Sequence, residues 1–232
     1  MWMKNDEAAQ IRAGGHDGCQ CGRSLDTGKL LDAKGRTCQT GPMSVSATRE
    51  WGALDSRGHS VQFYDDDEAL LAGLRGFAGG ALLAGEAALV IASPEHRSSL
   101  RERLEESGLD VHLAIEQERY TALDAADTLN KFMDGDHPNA SRFFDVMGEV
   151  IERSAEPQLG IRRRQVAAYG EMVALLHAAG RTVAALELEE LWNALGEVKP
   201  FYLHCAYPLA LFDRVRDAET LARIEAEHTL VV

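Results

Sequence analysis

The chain has 232 residues, 45% of them hydrophobic, enough for one substantial core with at most a small appendage. No run of 18 apolar residues occurs, and the start, Met1-Trp2-Met3-Lys4-Asn5-Asp6-Glu7, lacks the apolar stretch of a secretory signal, so a cytoplasmic protein without a membrane span is expected. The net charge of −13 divides as +1 over residues 1–50 and −14 beyond, which disfavours direct contact with nucleic-acid phosphates.

Residues 1–57 are rich in Gly, Asp, Lys, Ser and Thr and read as a flexible leader with at most one short hairpin. Within it, His16, Cys19, Cys21 and Cys38 supply four zinc-ligand types. The Cys-x-Cys step is tighter than the usual zinc knuckle, so no metal is expected there and the cysteines read as incidental, reduced thiols.

Alternation in His59-Ser60-Val61-Gln62-Phe63-Tyr64 predicts the first strand of the folded domain. The acidic Asp65-Asp66-Asp67-Glu68 suits the first turn of a helix. That helix continues through Leu70, Leu71, Leu74, Phe77 and Leu82, across an interruption at Gly79-Gly80, and closes at Gly85-Glu86. Ala87-Ala88-Leu89-Val90-Ile91-Ala92 is apolar throughout, as a strand covered on both faces of a parallel sheet would be. Ser93-Pro94 starts a second helix, with Ser as N-cap and Pro at the first helical position, which Gly108 ends. Two strand–helix units in succession imply right-handed crossovers and a parallel sheet.

A third strand is placed within 115–123. Helices follow at 125–133 and 140–154, separated by the turn-like Gly135-Asp136-His137-Pro138-Asn139. A strand at 165–169, helices at 171–179 and 182–195 and a strand at 201–206 come next, before a charged helix over 211–228.

Several of these segments together resemble the MEDS family, a sensory domain of methanogens and methylotrophs. The shared features are the first-strand motif, Gly85-Glu86-Ala87, Ala92-Ser93-Pro94-Glu95-His96-Arg97 and Leu123-Asp124-Ala125. The most specific are Gly170-Glu171-Met172-Val173-Ala174-Leu175-Leu176, Leu188-Glu189-Glu190-Leu191-Trp192-Asn193 and Leu203-His204-Cys205-Ala206-Tyr207-Pro208. The resemblance implies a three-layer α/β/α domain with a mainly parallel sheet, a degenerate relative of RecA/KaiC-type ATPases. It also implies sensing, often of small hydrocarbon derivatives, in chains frequently joined to a DNA-binding or histidine-kinase module. No such module is expected within this sequence. The division it suggests is a leader at 1–57, a sensory domain at 58–212 and a C-terminal helix and tail at 213–232.

A working phosphate loop needs a glycine-rich cradle with Lys-Ser/Thr, whereas Tyr64-Asp65-Asp66-Asp67-Glu68 puts carboxylates after the first strand. Nucleotide hydrolysis is therefore not expected, and the chain reads as a non-enzyme. Ligands of open α/β sheets gather at strand carboxyl ends. Tyr64 sits at such an end, as packing or as ligand contact. Glu171 does too, holding a ligand or capping the helix that starts there. Tyr207 completes the first choice for a pocket lining. His59, which begins its strand at the opposite edge, and Cys205, most simply a buried structural thiol, come after. Asp124 reads first as a helix cap, and Trp192 as core. The expected function is non-catalytic sensing of a small ligand without a cofactor, relayed to a signalling partner (a regulator or histidine kinase) or to a second copy. A protein-interaction scaffold using the C-terminal helix, or a residual nucleotide binder, is the alternative.

Overall fold

A computed structural model of the chain describes residues 22–23, 30–31, 57–156, 162–213 and 215–232. The chain divides into two units, Met1–Val45 and Ser46–Val232. In the first, the short strands β1 (Gly22–Arg23) and β2 (Leu30–Leu31) pair antiparallel. The cysteines and histidine at 16–38 lie outside the described residues.

The second unit runs β3 (Gly58–Tyr64), α1 (Asp67–Leu83), β4 (Ala87–Ala92), α2 (Pro94–Glu106), α3 (Val111–Glu116), β5 (Tyr120–Asp124) and α4 (Ala125–Asn130). A two-strand ribbon of β6 (Met133–Asp134) and β7 (His137–Pro138) leads to α5 (Ala140–Ala155). Then come β8 (Val166–Gly170), α6 (Met172–Ala178), α7 (Thr182–Val198), β9 (Tyr202–Pro208), α8 (Ala218–Ala226) and β10 (Leu230–Val231). Six strands form one sheet in the order β10-β3-β9-β8-β4-β5, and every pairing is parallel. The parallel sheet expected from the alternating strand–helix pattern, and the three-layer α/β/α architecture that the resemblance implies, are the ones observed.

Strand alternation sorts the buried side chains into two cores. Val90, Ala92 and Tyr169 pack with α1, α2 and α3 through Leu74, Leu100, Leu104 and Val111. Leu89, Ile91, Leu203, Cys205 and Tyr207 pack on the other face with α4 to α8, around Phe143, Met147, Met172 and Trp192. Trp192 meets Phe143 edge-on at 5.0 Å, the core role its helical stripe indicates.

Four local expectations need correction. The α1 helix runs unbroken through Gly79-Gly80. A Cβ at Gly79 would stand 3.1 Å from Leu104 Cδ2, so the glycine serves a close approach of α2. The third strand is confined to Tyr120–Asp124, because Asp110 caps a helix, α3, that takes up Ile115. The helix expected to reach 133 ends at Asn130, and Met133 belongs to the β6–β7 ribbon. The C-terminal helix is only Ala218–Ala226. After it the chain returns to the sheet edge, where Thr229 N–H donates to His59 O at 2.7 Å and Val232 N–H to Val61 O at 2.9 Å.

Candidate functional site

The strand order creates a crevice between β4 and β8. After β4 the chain passes to α2 on one face of the sheet, and after β8 to α6 on the other. At such a switch point the connecting segments part, leaving room outside the strand carboxyl ends. Glu171 stands there. Its N–H donates to Ile91 O at 2.9 Å, extending the β4–β8 ladder by one residue and fixing where the side chain begins.

The Glu171 carboxylate makes no cap to its own helix. It reaches across the crevice instead, Oε2 accepting from Ser93 N–H at 2.7 Å and Oε1 from the Tyr169 hydroxyl at 3.0 Å and from His96 Nδ1. His96 Nε2 lies 3.3 Å from Asp67 Oδ1 in the first turn of α1. Bonding to Glu171 lifts the His96 pKa to about 9, against the opposing effect of burial, so the ring is an imidazolium at neutral pH. Burial, with Glu171 and Asp67 nearby, pushes the Tyr64 phenol upward, so it stays a neutral hydroxyl. The structure therefore brings Tyr64 and Glu171 into one electrostatic neighbourhood. The acidic segment after β3 is structural in its geometry. Asp66 caps α1 through Ala69 N–H at 2.9 Å, and Glu68 binds Arg103 of α2 with one contact at 2.7 Å.

On the other flank of α2 lies a cleft of about 370 Å³ walled by Pro94, Ile115 and Ala122, with Arg97, Arg101 and Tyr120 as polar lining. Arg97 donates from NH2 to Asp124 Oδ2 at 3.0 Å, while Asp124 Oδ1 caps α4 through Asp127 N–H, as its sequence context indicates. Arg97 Nε and the Tyr120 hydroxyl are buried without a hydrogen-bond partner among the described residues. Burial raises the Tyr120 pKa to about 12, with Arg101 and Arg97 opposing, so this phenol too keeps its proton.

The remaining site residues, His59, Cys205 and Tyr207, gather on the opposite face of the sheet around Glu189 of α7, which is 0% exposed. Tyr207 donates to Glu189 Oε1 at 2.8 Å, and Cys205 Sγ lies 3.4 Å from Oε2. His59 Nε2 is 3.3 Å from both Cys205 Sγ and Glu189 Oε2, and its Nδ1 is 2.8 Å from Asn193 Oδ1. His228, just past α8, lies against His59 with ring centroids 3.9 Å apart and planes tilted by 48°, and its Nε2 is 3.7 Å from Glu189 Oε1. Burial drives the Glu189 carboxyl upward, but the His59 bond and the charge interactions with His59 and His228 outweigh it, and the net direction is down. Burial and Glu189 push the Cys205 thiol well up. One ligand atom each from His59, Glu189, Cys205 and His228 lies within 4.8 Å of all the others.

Sequence reasoning thus found residues of both clusters but joined them into one pocket, since nothing local tells which face of a strand each serves. It passed over Glu189 as one acid among several on a helix, and His228 as part of a charged tail. His96 and Arg97 stood inside a motif that was noticed for its helix start. Among the described residues no helix is long and apolar enough to cross a membrane.

The family model for MEDS, described as the methanogen/methylotroph, DcmR sensory domain, matches residues 58–228. No curated protein matches the chain.

Proposed function

The chain belongs to the MEDS family of sensory domains, and on that premise we propose that it senses a small, mainly apolar molecule carrying an acceptor atom, bound in the cleft between α2 and β5. The observation that carries this is a pair of buried donors on two residues that line that cleft, Arg97 Nε and the Tyr120 hydroxyl, with no hydrogen-bond partner among the described residues. A buried donor left unpaired costs about 1–3 kcal/mol, which an acceptor on a bound molecule would recover. The cleft's volume suits a small ligand, and its few polar groups converge among Pro94, Ile115 and Ala122.

Guanidinium and phenol donors suit the holding of a short-chain carboxylate, alcohol or halocarbon, and neither serves as a base at neutral pH, so the domain binds without turnover. Signal output follows from α2. Arg97 faces the ligand, while its neighbour His96 and the helix-capping Ser93 are tied to Glu171. A ligand that prefers one setting of α2 biases the Glu171 linkage, and with it the surface offered to a regulator, a histidine kinase or a second copy.

The test is ligand-observed NMR on the full chain with one- to four-carbon carboxylates, alcohols and halocarbons. At least one class should bind and lose tenfold or more in affinity in both Arg97→Met and Tyr120→Phe. Binding by none, or equal binding by the variants, rejects the cleft as the sensing site.

A further inference from the structure

The buried cluster on the other face of the sheet contains more acceptors than donors. Asn193 Nδ2 donates both to Glu227 O at 3.0 Å and to Glu227 Oε2 at 2.8 Å, which fixes the amide so that its oxygen faces His59. His59 Nδ1 must then carry a hydrogen, and in the neutral ring Nε2 is a lone pair directed at Cys205 and Glu189. The same holds for His228. Its Nδ1 donates to Ile224 O at 2.6 Å, leaving Nε2 as a lone pair, buried and without a partner among the described residues. With both rings neutral, two imidazole lone pairs and two carboxylate oxygens converge on a space supplied with only two hydrogens, those of Tyr207 and Cys205. Tyr207 already satisfies Glu189 Oε1, and the single thiol hydrogen serves either Glu189 or His59. With neutral rings the site holds a carboxylate and no cation.

We propose that His59 Nε2, His228 Nε2, Cys205 Sγ and a Glu189 oxygen bind one divalent cation of the zinc class. Tetrahedral coordination at zinc bond lengths separates ligand atoms by about 3.3–3.8 Å. His59 Nε2 is 3.3 Å from Cys205 Sγ and from Glu189 Oε2, Cys205 Sγ is 3.4 Å from that same oxygen, His228 Nε2 is 3.7 Å from the other oxygen, Oε1, and one ligand atom from each of the four residues lies within 4.8 Å of all the others. On binding, the Cys205 S–H bond breaks, its proton leaves to solvent, and the sulfur–metal bond forms. Thiolate and carboxylate then neutralise the dication, and nitrogen, sulfur and oxygen donors together suit zinc over magnesium or calcium. The hydrogen bonds from each ring's Nδ1 to Asn193 and Ile224 are the outer partners by which proteins orient metal-binding histidines. Four protein ligands make a closed, structural site. It ties together β3, α7, β9 and the segment after α8. His59 and Asn193 also line a cleft of about 360 Å³, which gives an ion a route.

The experiment uses the full chain with Cys19→Ser, Cys21→Ser and Cys38→Ser, so that Cys205 is the only thiol and the N-terminal cysteines cannot compete. Chelator-stripped protein is titrated anaerobically with Co²⁺, then with Zn²⁺. One equivalent of Co²⁺ should produce the thiolate-to-cobalt charge-transfer band and the visible bands of tetrahedral cobalt, and one equivalent of Zn²⁺ should abolish both. His228→Gln, checked for fold by circular dichroism, and Cys205→Ala should weaken binding at least a hundredfold, and Asn193→Ala by ten- to a hundredfold. His228→Gln alters no sheet position, so it tests the ligand set even if Cys205→Ala fails to fold. Absence of a stoichiometric cobalt spectrum in the folded parent, or an unchanged spectrum and affinity in His228→Gln, overturns the proposal.

Discussion

Replacing Glu171 by Gln changes one charge and little volume at the crevice between β4 and β8. The amide oxygen of Gln can still accept from Ser93 N–H, but the carboxylate that holds His96 as an imidazolium is gone. A His96 pKa raised from 6.5 to about 9 corresponds to about 3 kcal/mol of preference for the charged ring in the fold. The ring is 16% exposed and its second partner Asp67 is 72% exposed, so solvent screening reduces the expected contribution to about 2 kcal/mol. The folded-state pKa is the higher one. The stabilisation is therefore complete below pH 6.5, declines as pH climbs, and is lost once pH passes about 9.

Urea unfolding of the parent and Glu171→Gln at pH 6, 7.5 and 9.5 measures this directly. The two proteins should differ by about 2 kcal/mol at pH 6 and converge towards pH 9.5, since only the parent loses the ion pair there. Other titrating groups are shared and cancel in the difference. In the parent, the His96 imidazole resonance should titrate near 9 by NMR, and in the variant close to 6.5. A pH-independent difference, or a parent His96 titrating near 6.5, would refute the assignment of His96 as the charged partner of Glu171.

Removing residues 229–232 should lower stability by about 2–4 kcal/mol, because the hydrogen bonds of Thr229 and Val232 to β3 are lost with the edge strand; an unchanged urea midpoint would show that β10 does not hold the sheet edge in solution. A chain starting at residue 57 should unfold with the same midpoint as the full chain, since among the described residues both cores are drawn from positions beyond 60; a shift of more than a few degrees would place a supporting element in the leader. ATP with Mg²⁺ should show no turnover, because Asp66 caps α1 where a phosphate loop would present backbone N–H groups; magnesium-dependent hydrolysis lost on Asp66→Ala would contradict this.

The sheet was legible because its strands obey period-2 and all-apolar patterns that solvent and burial impose locally. Ala87–Ala92, buried along its whole length, is recognisable for what it is without any knowledge of its neighbours. Ser93-Pro94 and Asp124 announce helix starts by capping chemistry, and both caps form. Elements that depend on remote partners were misjudged. Residues 230–231 are too short to carry a pattern, and become a strand only because β3 offers an open edge. Ile115 fits a strand or a helix, and Asp110 decided for the helix.

The sites divide along the same line. Tyr64 and Glu171 were singled out because a strand's carboxyl end is a place fixed by topology. Glu189 was not, because a helix position shows its value only when one knows what the next layer brings to it. In sequence, Glu187, Glu189 and Glu190 are near-equivalent acids on α7. In the fold Glu187 meets the exposed His137 and the exposed Glu190 lies 4.0 Å from Arg223 of α8, while Glu189 alone turns inward to Tyr207, Cys205, His59 and His228. A buried carboxylate is costly unless cations or donors surround it. Once helical phase put Glu189 against the sheet, a chain that folds had to bring polar partners from other elements. It did so from β3, β9 and the segment after α8, separated by 130 residues or more in the case of His59. That convergence of nitrogen, sulfur and oxygen on one interior point is a property of the tertiary structure, and it distinguishes the second cluster from the helix-anchoring chemistry of the first.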